Sequence, residues 1–197
     1  MSEQDDLSIF PLKTVLFPDG ALPLKIFEAR YMDMARECMR EERPFGVCLI
    51  AEGAEVGVPA VPHLVGTAAR IAQWDMQDLG VLQVVVRGGQ RFRILSHDRD
   101  RQGLVRAKVE WLADEKPCAV PATIDKLVPL LRVMVAEVGA DRVPEPHHFE
   151  DAVWVGHRYA ELLPIPLIAR QKLLELDDTL SRLEIVFQYL GQHGLIR

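Results

Sequence analysis

Six histidines, three cysteines and four serines are the residues from which this chain of 197 could build a nucleophile, a base or a metal cage. A nucleophilic serine needs a base within hydrogen-bond reach. None of Ser2, Ser8, Ser96 and Ser181 lies in a GxSxG turn. Ser96 stands beside His97, but neighbours on a strand point to opposite faces. His147 and His148 are adjacent and so poorly placed to chelate one ion, and HExxH is absent. His157 and Glu161 fall one helical turn apart, a spacing that predicts a single ion pair. The cysteine count is odd, with no CxxC, which leaves neither a zinc nor a disulfide framework. Cys38 and Cys48 sit in apolar patterns and read as core; Cys118 is undecided. No GxxxxGK[ST] loop is present, and Gly88-Gly89 is too short to cradle a dinucleotide. The residues therefore predict no catalytic group, no cofactor, no metal and no enzyme.

One concentration of charge remains. Arg87, Arg91, Arg93, Arg99, Arg101 and Arg106 fall in one β region. Three readings fit: solvated strand faces, contacts to polypeptide, or contacts to nucleic acid. Phosphate binding depends on local positive charge. Asp98 and Asp100 dilute that charge and stacking aromatics are few, so solvated faces are favoured. The net charge of −6 is shared evenly between the two halves, leaving no basic arm. The start, Met-Ser-Glu-Gln-Asp-Asp, lacks the positive and apolar regions of a signal peptide. No run approaches the roughly 18 apolar residues of a membrane helix. Free thiols fit a reducing compartment, and a cytoplasmic location with no membrane partner is expected.

The elements that must position these residues divide in two, 1–116 and 117–197. The first part reads as strands broken by Pro11, Pro18-Asp-Gly20 and Pro23. One helix over Ile26–Glu41 places Phe27, Tyr31, Met34, Ala35, Cys38 and Met39 on one side. Phe45–Ala51 and Leu64–Trp74 are strands, and Val81–Val86 is apolar enough to be buried on both faces. Arg91–Ile94 and Val105–Trp111 alternate with period two, and the polar stretch His97–Gly103 links them. After Pro117 the period becomes helical. Ile124–Val135 is expected to start late or kink at Pro129 and stop at Gly139. Asp151–Leu163, a helix opened by Pro166, and one capped by Asp178 complete a four-helix bundle. Leu180, Leu183, Phe187 and Leu190 are expected to face inward, and Trp154 to pack against the β part.

Several strings, taken in order, resemble the N-terminal substrate-recognition domain of Lon proteases. Phe10-Pro-Leu12, Val15-Leu-Phe-Pro18 and Leu22-Pro-Leu24 are similar to the opening of that family. Ile26-Phe-Glu28, Arg30-Tyr31 and Met34 follow. Val65-Gly-Thr67, then Gly88 with Arg91-Phe-Arg-Ile94, are similar to its middle and later strands. Leu162-Leu-Pro164, Arg170-Gln171, Leu174-Glu175, Asp177 and Arg182-Leu183 resemble its helical tail. The resemblance implies an α+β fold: a PUA-like β pseudo-barrel with one packed helix, then a small helical bundle. It also implies capture of unfolded or tagged polypeptides, with a separate protease or a further copy of the chain as additional partners. The family's ATPase and Ser-Lys protease segments have no counterpart here, so a stand-alone, non-catalytic binder is expected. RNA or other nucleic acid, by analogy with PUA-like folds, is the alternative and is not favoured.

Unfolded polypeptide offers backbone hydrogen-bonding groups and apolar side chains, which a strand edge or an apolar groove can receive. The expected contacts are Phe17, Pro18, Phe27 and Tyr31 for apolar groups, and Arg30, Arg91 and Arg93 for polar ones. Against this stand core roles for Phe17 and Phe27 and an ion pair of Arg30 with Glu28.

Overall fold

Period-two alternation and proline-limited strand lengths build the first half of the molecule. The computed structural model describes residues 5–57, 60–78 and 80–196; Ser2 and the rest of residues 1–4 lie outside them. Two compact units divide the chain, Met1–Ala113 and Asp114–Arg197.

The first unit runs β1 (Asp5–Leu12), β2 (Ala21–Ile26), α1 (Ala29–Glu41), β3 (Phe45–Glu52), β4 (Val61–Pro62), β5 (Val65–Asp78), β6 (Val81–Arg99) and β7 (Val105–Trp111). The strands follow the order β1-β7-β6-β5-β3, and β1 then pairs β3 in parallel, closing an uneven ring. This is the expected α+β pseudo-barrel. Helix α1 buries Tyr31, Met34, Ala35 and Cys38 against Phe45, Val84 and Val86, and Tyr31 stacks on Phe10 with centroids 4.0 Å apart. A second apolar cluster gathers Ile9, Cys48, Phe92, Val105 and Val109.

Strand β6 differs from its expected pieces. It is one strand of 19 residues, in which Val81–Val86 buries one face only. Leu82, Val84 and Val86 enter the core while Val81, Gln83 and Val85 stay half-exposed. A long strand between two partners need not be covered on both faces. His97, Asp98 and Arg99 belong to this strand and pair with β7. The turn is confined to the residues after them, where Asp100 Oδ1 accepts from Gln102 N and Leu104 N, both at 2.9 Å.

Helix α1 begins three residues later than its periodicity suggests. Residues Ala21–Ile26 are held in register against Leu82–Arg87 of β6, and that ladder overrides the helical pattern. Phe27 consequently falls in the turn, 54% exposed, instead of on the helix's apolar side.

Pro23 is tolerated because β2 pairs only β6 among the described strands. Gly20 O accepts from Gly88 N at 2.9 Å. Counting by twos along the antiparallel ladder, Leu22, Leu24 and Ile26 bond toward β6, while Ala21, Pro23 and Lys25 turn their backbone groups away. The missing donor therefore faces the free edge.

The stretch before β2 is pinned rather than looped out. Thr67 Oγ1 donates to Leu16 O at 2.6 Å, and Asp19 N donates to Gly88 O at 2.9 Å. A Cβ at Gly88 would lie 2.1 Å from Phe17 O, so only glycine lets the two backbones meet.

The second unit contains a 3-10 turn at Ala122–Ile124, then α2 (Leu127–Val138), α3 (Ala152–Leu162), α4 (Leu167–Glu175) and α5 (Thr179–Gln192). Pro129 sits in the first turn of α2, so the late start holds, and Gly139 at φ 77° ends the helix. Asp151 and Asp178 cap α3 and α5 through side-chain oxygens that accept from Val153 N and Ser181 N. Leu127, Leu131, Val155, Tyr159, Leu183, Val186 and Leu190 share its core. Leu180, expected inward, is exposed. Trp154 takes ring neighbours from its own unit: Phe149 with centroids 5.0 Å away and His147 at 5.8 Å.

Candidate polypeptide-binding surface

Of the residues singled out from sequence, Phe27 and Tyr31 line one small cavity, and the seven do not form one surface. Phe17, Arg30, Tyr31 and Arg91 are buried, Pro18 is half-buried, and Phe27 and Arg93 are exposed. Arg30 illustrates why. Its Nη2 donates to Glu28 Oε2 at 2.8 Å and to Gly57 O at 3.1 Å, its Nη1 to Gly103 O at 3.2 Å, and its guanidinium lies 4.8 Å from the Tyr31 ring centroid. A buried cation tied to one carboxylate and to carbonyls of two distant segments stabilises the fold. Phe17 is enclosed beneath the turn that Gly88 anchors. Phe27 retains an open face beside a small cavity of about 70 Å³ whose lining includes Phe10, Ile26, Tyr31 and Val56.

The largest depression among the three described lies elsewhere. A groove of about 430 Å³ runs over three strands and is lined by three cross-strand rows. These are Lys25–Gln83–Asp75, Leu24–Val84–Trp74 and Pro23–Val85–Gln73, each read across β2, β6 and β5. Leu24 and Val84 turn toward the core; by alternation Pro23, Lys25, Gln83, Val85, Gln73 and Asp75 face outward. Trp74 is 63% exposed, the highest value among the large apolar side chains described, and Met76 follows it on the same strand, also exposed. An indole held open on a strand is an apolar surface awaiting contact.

Trp74 also lines a second groove of about 350 Å³, with Cys38, Met39, Glu42, Arg43, Arg70, Ile71 and Ala72. Arg43 is committed to ion pairs with Glu37 and Glu41. Arg70 Nη1 donates to Glu42 O at 2.6 Å, where a cation meets the carbonyl end of α1. Burial pushes the Cys38 thiol up to about 11, with the charges of Arg43 and Arg106 opposing, so it is no nucleophile at neutral pH. Trp74 stands in the sequence as the last residue of an apolar stretch. Only the extension of β5 and β6 beyond the ring leaves it uncovered.

The densest set of buried ionisable groups is in the helical unit, away from any described groove. Glu115 accepts from Arg182 Nη1 and Nη2, both at 2.8 Å, and from Thr179 Oγ1, and it stands 3.4 Å from His157 Nε2. Arg182 also donates to the carbonyls of Leu173, at 3.0 Å, and of Leu176. Burial opposes charge on Glu115, but the contacts with His157, Arg182 and Thr179 outweigh it and hold its carboxyl far below the usual range. Burial lowers His157 to about 4, against the pull of Glu115 and with the charges of Arg182 and Arg158 helping. His157 thus pairs with Glu115 rather than with Glu161, which Arg158 Nε approaches to 3.2 Å. This constellation ties the segment after Asp114 to α3 and α5. Among the described residues no group of three or more His, Cys, Asp or Glu is placed to hold a metal ion. No described helix is long and apolar enough to cross a membrane.

Comparison with known proteins fits this architecture. A solved structure of a Lon N-terminal domain protein from Xanthomonas campestris superposes with a TM-score of 0.79 at 34% identity, covering 94% of this chain and 98% of that one. The N-terminal domain of a Lon protease from the Mycobacterium avium complex shares the fold, with a TM-score of 0.65 at 19% identity over 96% of this chain and all of that one. Lon protease 2 of Syntrophobacter fumaroxidans is 28% identical over 194 residues, 94% of this chain but only 24% of that protein. The chain spans about a quarter of the length of such proteases. The model of the ATP-dependent protease La (LON) substrate-binding domain matches residues 6–192, and the chain belongs to that family.

Proposed function

We propose that the chain is a non-catalytic module that holds unfolded or tagged polypeptide, and that the groove around Trp74 is where it does so. The observation that carries this reading is the exposed indole on a strand extension, in the register row of Leu24 and Val84, where it borders the two largest described grooves. The free edge of β2 is a poorer receiver. Pro23 withholds a donor there and Lys25 is exposed, both devices that discourage strand addition. Side-chain docking in the groove is therefore favoured over sheet extension. Cys38, Cys48 and Cys118 are unbridged, which supports a cytoplasmic setting. A separate protease, or a further copy of the chain, is the partner to which held polypeptide would pass.

The test is binding of a reduced, unfolded client followed by fluorescence anisotropy, with and without ATP. Saturable binding, independent of ATP and weakened about tenfold or more by Trp74→Ala, as expected for a central aromatic contact, supports the reading. Failure to bind across a diverse peptide array removes it. Turnover of a substrate by the pure chain, abolished by one polar substitution, would replace it with an enzyme.

A further inference from the structure

Beyond its Pro23–Val85 row, the outer face of β2, β6 and β5 carries a charge pattern that holding polypeptide in general does not require. Arg87 follows Val85 on the same face of β6, and its cross-strand partner on β5 is Arg70. Like charges directly opposite on adjacent strands repel each other. Arg70 gives one nitrogen to the Glu42 carbonyl, and among the described residues no carboxylate pairs with either guanidinium. From Ala21 to Lys25 the outward residues of the three strands include Lys25, Arg70 and Arg87 against a single carboxylate, Asp75. The chain as a whole carries −6, so this face opposes the charge of the molecule around it.

We propose that this face reads an extended polypeptide segment in which an apolar side chain and an Asp or Glu are separated by one residue. The proposal rests on the polypeptide-binding reading above. An extended chain places side chains i and i+2 on one face about 7 Å apart, the same spacing that separates Val85 from Arg87 on β6. An apolar side chain seated on the Val85 row therefore brings a carboxylate two residues away over the arginine row. There it meets the Arg87 guanidinium, with Arg70 opposite in the ladder, and gains charge-assisted hydrogen bonds.

The experiment uses the full chain and fluorescein-labelled peptides made of three repeats. Leu-Ser-Glu-Ser puts both side-chain types on one face. Leu-Glu-Ser-Ser has the same composition with its glutamates on the opposite face. Leu-Ser-Gln-Ser and Leu-Ser-Lys-Ser remove or reverse the charge. Leu-Ser-Glu-Ser should bind about fivefold tighter than the Gln and the misplaced-Glu peptides, the scale of a partly exposed ion pair. Lys should bind weakest. The preference should vanish near 1 M salt, where the screening length falls to about 3 Å. Arg87→Gln should equalise the Glu and Gln peptides. Binding of the Gln peptide with no preference for Glu overturns the charge reading and leaves polypeptide binding standing. Equal affinity for the two Glu peptides overturns the spacing. Binding of no peptide overturns both readings. Oligouridylate binding as tightly as Leu-Ser-Glu-Ser, and lost in Arg87→Gln, would assign the face to nucleic acid instead.

Discussion

Glu115 and Arg182 face each other through two parallel hydrogen bonds, Oε2 to Nη1 and Oε1 to Nη2, both 2.8 Å long, with both side chains nearly excluded from water. The fork geometry of the guanidinium matches the carboxylate. Its remaining donor capacity goes to the carbonyls of Leu173 and Leu176. Replacing Arg182 by Ala removes all of these at once and leaves a buried carboxylate behind. We expect a loss of about 3–5 kcal/mol, the scale of a broken buried pair, measured by urea unfolding. A larger apolar residue such as Met should recover part of it, because it refills the volume.

Acid should loosen the helical unit before carboxylates in general titrate. His157 is held neutral in the fold at about 4, against 6.5 for the free side chain. The unfolded chain therefore binds the extra proton first, and stability falls as pH drops from 6.5 toward 4. Over that window the His157 contribution is about 3 kcal/mol. Glu115, with its folded value depressed, acts in the same direction at lower pH; Glu161, raised by burial despite Arg158, acts oppositely. The comparison of wild type with His157→Gln across pH 7 to 4 isolates the histidine. Parallel stability curves for the two would contradict its assignment as a buried neutral group.

Gly88→Ala should be among the most damaging single-methyl additions in the chain. The new Cβ would stand 2.1 Å from Phe17 O, a backbone atom that cannot step aside alone. A cost of about 3 kcal/mol or more is expected, at the upper end for overpacking. Gly191→Ala, in helix α5 with nothing within 4 Å of its Cβ, should instead stabilise by up to about 1 kcal/mol. Thermal melts of the two variants separate close approach from simple backbone entropy.

The thiols should divide by burial. Cys38 and Cys48 are buried and Cys118 is exposed. A thiol reagent at mild alkaline pH should titrate one cysteine in the native protein and all three after denaturation. Rapid native reaction at two sites would show that α1 or β3 opens readily.

Trp74 should report on its own groove. The exposed indole should be quenched by acrylamide far more than Trp154, which lies inside the helical core. Trp74→Phe should remove any emission change on peptide binding while shifting stability by less than about 0.5 kcal/mol, as for most surface sites.

Much of the architecture was written in short-range chemistry. Alternation, proline placement, the Asp178 cap, the Gly139 stop and the core positions of Cys38 and Cys48 depend on each residue's immediate neighbours. So does the pairing of Arg30 with Glu28, two residues away. The chain order of the family strings likewise pointed to the domain family that the comparisons show. What failed depended on partners distant in sequence. Ladder pairing with β6 drew Ile26 into a strand and left Phe27 in water. Glu115 rather than the nearby Glu161 took His157, because folding brought α3 and α5 around the segment after Asp114. Trp74 is open because β5 and β6 continue past the closed ring, and Arg70 stands opposite Arg87 in the ladder because the register places them there. Local propensity is set by a residue and its few neighbours. Exposure and pairing are set by which segments close over one another, a property that exists only once the chain is folded.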